Sequence, residues 1–88
     1  MKISNEFVIK EMGDKTVLVP IGKKAVDLHV LITLNETSVF LLNQMADDVN
    51  LDLLAKSLVK EYNVDYEKAY KDVSDFIEKM KSYGVIYE

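Results

Sequence analysis

The chain has 88 residues, 49% of them hydrophobic and 30% charged, with a formal net charge of -4. That composition is one of a single small globular domain over residues 1–88, with room for one core but not for a deep, separately walled active site. With no cysteine, disulfides, thiol nucleophiles, zinc ribbons and thiolate-held iron–sulfur clusters are excluded. No window approaches the roughly 18 apolar residues of a bilayer span, and the acidic balance disfavours a nucleic-acid partner, whose phosphates are met by Lys and Arg.

Met1-Lys2-Ile3-Ser4-Asn5-Glu6 contains no apolar signal core, so a cytoplasmic chain without a membrane is expected. Phe7-Val8-Ile9-Lys10-Glu11-Met12 and Thr16-Val17-Leu18-Val19-Pro20 are β-rich runs around Gly13-Asp14-Lys15, which predicts a hairpin with Gly13 free to take positive φ. Pro20, lacking an N–H, ends or edges the second strand. After a polar connection the run Leu28 to Leu34 predicts a third strand. Leu28, Val30, Ile32 and Leu34 share one face, and His29, Leu31 and Thr33 share the other. A meander of three antiparallel strands leaves this third strand at an edge.

Asn35 is placed to cap a first helix, its side-chain oxygen accepting from the N–H of Thr37 or Ser38, and the helix should run to about Met45 or Ala46. Asp47-Asp48-Val49-Asn50 reads as a turn, with Asn50 capping a second helix whose Leu51, Leu54, Ala55, Leu58 and Tyr62 form one face. Asp65 is the expected cap of a third helix, after the joint Asn63-Val64-Asp65. That helix sets Tyr66, Ala69, Tyr70, Val73, Phe76, Ile77, Met80 and Tyr83 at helical spacing. Gly84 then ends it in the left-handed region, and Val85-Ile86-Tyr87 leaves as an extended tail able to dock on the body. The predicted class is α+β: a three-stranded antiparallel sheet followed by three α-helices. A hairpin plus two helices joined by three residues is the arrangement of winged helix-turn-helix proteins.

The joint Leu34-Asn35-Glu36-Thr37 after a strand, with Phe40-Leu41-Leu42 beyond it, resembles the PqqD family, named for a protein of pyrroloquinoline quinone biosynthesis. The likeness continues through Glu61-Tyr62-Asn63-Val64-Asp65 to the closing Tyr83-Gly84-Val85-Ile86. It implies a non-catalytic recognition element that binds the leader of a ribosomally made precursor peptide and presents it to a modifying enzyme. The family name suggests a radical S-adenosylmethionine enzyme; a leader peptidase or a lasso-type cyclising system is the other partner of this kind. In such relatives the leader adds as a strand to the edge of the third strand and reaches a groove beside the third helix. The corresponding positions here are Leu28, His29, Val30, Leu31, Ile32 and Thr33 on the strand, and Tyr70, Val73, Ser74 and Ile77 on the helix. No cofactor is implied for this chain; iron–sulfur chemistry would belong to the partner.

The residues themselves fit that implication. Val30, Leu31 and Ile32 offer an edge without charge or proline, and such edges are covered or used. The bland alternative is an edge covered by the chain's own tail. A helical row of aromatic residues is more often core than a ligand box, and Tyr70 is its best groove candidate. His29, the single histidine, lacks the convergent ligands of a metal site or triad. Asp47 with Asp48, and Asp72 with Asp75, stand where solvated charge explains them. Two other classes remain open at this level. A winged-helix DNA regulator would present Asp65, Glu67, Lys68, Lys71 and Asp72 to the groove, a mixed set without the arginine that reads guanine. A homodimeric assembly protein would pair the same strand edge with a second copy.

Overall fold

The computed structural model describes residues 1–23, 31–46 and 49–87, and the elements that follow are those of the described residues. In chain order they are β1 (Lys2–Ile3), β2 (Phe7–Met12), β3 (Lys15–Pro20), β4 (Ile32–Leu34), α1 (Glu36–Asn43), α2 (Leu51–Tyr62), α3 (Tyr66–Ser82) and β5 (Ile86–Tyr87). A short 3-10 turn, Gln44–Ala46, follows α1.

β2, β3 and β4 form an antiparallel sheet in that order. Met12 pairs with Lys15, so the hairpin loop is only Gly13-Asp14, and Gly13 takes φ 67, the positive value that two-residue hairpin loops demand. Inward, Phe7, Leu18, Ile32 and Leu34 give the sheet's contribution to the core. Of the expected third strand Leu28–Leu34, Ile32–Leu34 form β4. Its last pair is Leu18 with Ile32. Leu31 stands outside the strand, while Leu28, His29, Val30, Asp47 and Asp48 lie outside the described residues.

The helix starts follow the sequence closely. Asn35 Oδ1 accepts from the Ser38 N–H at 2.8 Å, and Asn50 Oδ1 from the Leu53 N–H at 2.9 Å, each satisfying a donor that the first turn leaves unpaired. Asp65 has the extended backbone of a cap but makes no side-chain cap bond. α2 ends on Asn63 at φ 53, whose N–H donates to Val59 O at 2.8 Å. α3 ends in a Schellman motif: Gly84, at φ 76, donates to Lys81 O at 3.0 Å and Val85 to Met80 O at 2.9 Å.

That turn aims the tail back along the body, where β5 pairs antiparallel with β1 and the Ser4 N–H donates to Val85 O at 2.7 Å. The tail therefore covers β1 and leaves β4 alone. The core lies between the sheet and the helices: Leu41 and Leu42 of α1, Leu54, Ala55 and Leu58 of α2, and Ala69, Val73, Ile77 and Met80 of α3, closed by Val85 and Ile86. Each such side chain contributes about 1.5–3 kcal/mol when fully buried, less for the alanines. Phe40 and Tyr62 meet edge to face at 5.6 Å, tying α1 to the end of α2. Among the described residues, no helix is long and apolar enough to cross a membrane.

Candidate functional site

Among the described residues, β4 has a hydrogen-bonded neighbour on one side only, β3. Alternate backbone groups of an edge strand point away from its partner and are open to a further strand. Within β4 the side chains divide cleanly: Ile32 and Leu34 are buried, and Thr33 is exposed. Leu31, just before the strand, is 55% exposed.

Beside β4 lies a groove of about 350 Å³ between the strand-to-helix joint and α3. Thr33 and Asn35 line one wall, Thr37 and Ser38 the start of α1, and Asp72, Phe76 and Lys79 the opposing wall, over a floor of Leu41 and Met80. The floor is buried, whereas Phe76 is half-buried and Asp72 and Lys79 are exposed. The groove thus joins an apolar base to a polar rim, the usual construction of a binding site. Asp72 is paired with Lys68 at 3.4 Å, so its charge is largely compensated. A shallower depression of about 480 Å³ shares Thr33 and Asn35 and continues towards Asp14, Lys15 and Val39.

A second cleft, of about 460 Å³, flanks α3 on another side and is lined by Val49, Leu51, Asp52, Tyr70, Ile77 and Lys81, among others. At its margin the Tyr66 hydroxyl donates to the Asp52 carboxylate at 2.5 Å, and the Tyr66 and Tyr70 rings lie 6.0 Å apart. Tyr66, with Lys56 adding to the effect, holds the Asp52 carboxyl below its ordinary value; the same hydrogen bond raises the Tyr66 phenol.

The expected site residues are therefore distributed over several environments. Thr33 lines the groove and Leu31 is exposed next to β4. Ile32 and Val73 give their side chains to the core. Tyr70, 39% exposed, and Ile77 border the second cleft, and Ser74 is half-buried. On α3 the residues that line the groove beside β4 are Asp72, Phe76, Lys79 and Met80, the first three spaced i, i+4 and i+7 along one stripe. Phe76 was legible as part of the apolar arc, but an arc of eight apolar positions does not state which margin faces the strand.

Residues 15–86 match the family model for coenzyme PQQ synthesis protein D. The chain belongs to the PqqD family. No curated protein matches it. Among solved structures, this PqqD-family chain is similar to TbiB1 in complex with the TbiA(beta) leader peptide, with a TM-score of 0.75 and 19% identity over 97% of this chain and 93% of that one. It is similar to a lasso peptide synthetase B1 complexed with its leader peptide, with a TM-score of 0.76 and 18% identity over 99% and 96% of the two chains. At such identities the likeness establishes the fold: the meander, the strand-to-helix joint and the helices stand in the same arrangement.

Proposed function

We propose that this PqqD-family chain is a non-catalytic recognition element that binds the leader of a ribosomally synthesised precursor peptide and delivers it to a modifying enzyme. The observation that carries this reading is the edge of β4, unpaired among the described residues, beside a groove with an apolar floor; the C-terminal tail pairs with β1 and not with this edge. Two proteins of the same fold hold leader peptides, which supports the same use here. The leader adds as a strand to β4, its backbone supplying affinity and alternate side chains entering the groove.

Contacts are assigned to Leu31, Thr33, Asp72, Phe76 and Lys79. Ile32 contributes its backbone, and Val73 supports the wall from beneath. The partner enzyme is of the radical S-adenosylmethionine type suggested by the family, with all redox chemistry on the partner. The chain acts by position, raising the concentration of the core peptide at that enzyme's active site, an effect that reaches the millimolar scale for short tethers.

An amide-NMR titration of the isotope-labelled chain with candidate leader peptides tests this reading, with a short DNA duplex as control. Shifts clustered on Leu31–Asn35 and on Asp72, Phe76 and Lys79 are expected with peptide. Shifts produced only by DNA, centred on the first turns of α3, would replace the reading with a DNA regulator.

A further inference from the structure

The groove beside β4 is not neutral along its length. On the α3 wall, Asp72 is already paired with Lys68 at 3.4 Å, Phe76 stands in the middle, and Lys79 follows three residues later. Among the described residues Lys79 carries no ion pair. Asp75 and Glu78 line a neighbouring depression together with Lys79 but do not reach it within ion-pair distance. The wall therefore presents an ion pair, an aromatic ring and an ammonium that makes no ion pair among the described residues, in that order.

An extended peptide presents alternate side chains to one face, about 6.7 Å apart. Phe76 and Lys79 are separated by about 4.5 Å along the helix axis, and the flexible lysine stem covers the difference. We infer that the groove selects a leader segment carrying a carboxylate two positions from a bulky apolar residue. The apolar side chain packs on Phe76 over Leu41 and Met80, and the carboxylate meets Lys79. Lys79 is thus a specificity-determining residue for an acidic leader. This inference rests on the recognition reading above and adds the chemistry of the ligand to it.

The test is a selection of random twelve-residue displayed peptides on the full chain, on Lys79→Gln and on Lys79→Glu, each checked by circular dichroism. Wild type should enrich Asp or Glu two positions from Leu, Ile or Phe. Lys79→Gln should lose the acidic preference while keeping the apolar one, and Lys79→Glu should turn it to Lys or Arg. A synthetic wild-type winner should bind Lys79→Gln about two- to five-fold more weakly, the range of an exposed ion pair, with the difference shrinking as salt is raised. If winners map by NMR to β4 and Phe76 but all three proteins share one acidic preference, the role of Lys79 is refuted and the recognition reading stands. If no peptide is enriched, or winners leave β4 unperturbed, the recognition reading falls and takes this inference with it.

Discussion

Asn35 stands at the joint between strand and helix, and removing its side chain separates a structural role from a binding one. Its Oδ1 accepts the Ser38 N–H at 2.8 Å, and α1 has only eight residues, so one lost cap is a large share of that helix's end satisfaction. Asn35→Ala should cost about 0.5–2 kcal/mol. In a domain of this size each kcal/mol moves the midpoint of thermal unfolding by about 4–8 °C. Asn50→Ala removes the equivalent bond on α2, 2.9 Å to Leu53, and should fall by a similar amount, which makes it the control. A protein of about 5 kcal/mol total stability that loses about 1 stays more than roughly 99% folded. Leader affinity, measured by calorimetry at 25 °C, should therefore stay close to wild type in both variants. The oxygen that lines the groove is already committed to its own helix. Unchanged thermal midpoints would refute the capping argument, and a ten-fold affinity loss confined to Asn35→Ala would make Asn35 a ligand contact.

Leu31→Lys places a charge at an exposed position beside the β4 edge, so leader binding should be lost while far-ultraviolet circular dichroism is unchanged; wild-type affinity would move the site off this edge. Gly84→Ala forces a side chain into the left-handed region at φ 76 and should cost about 1–2 kcal/mol by urea unfolding; an undiminished midpoint would mean that the Schellman turn is not required to dock β5. Tyr66→Phe removes the main donor to Asp52. A carboxyl whose folded pKa lies below its unfolded one adds stability that is present above the unfolded pKa and lost as pH falls through the folded one. The variant should raise the Asp52 midpoint in a carbon-13 NMR titration and lessen the stability lost as pH drops below about 4; an Asp52 midpoint identical to wild type would count against the hydrogen bond.

The order of three meander strands and three helices, the hairpin, the Asn35 and Asn50 caps and the left-handed Gly84 follow from the sequence alone. Each rests on a period of two or 3.6 or on hydrogen bonds between residues at most five apart, which local chemistry dictates. The tertiary structure decided the rest. The two-residue strands β1 and β5 have no readable period, and their pairing joins the two ends of the chain through a register set only when the core has closed. The register of β4 on β3, Thr16 with Leu34 to Leu18 with Ile32, is likewise set by a different segment of the chain. Along α3, apolar spacing identifies a broad inward arc. How α3 packs against α2 and the sheet then sends Tyr70 and Ile77 to one cleft and Asp72, Phe76 and Lys79 to the groove beside β4. A helix's period fixes which residues are neighbours on its surface, but only packing fixes what that surface faces.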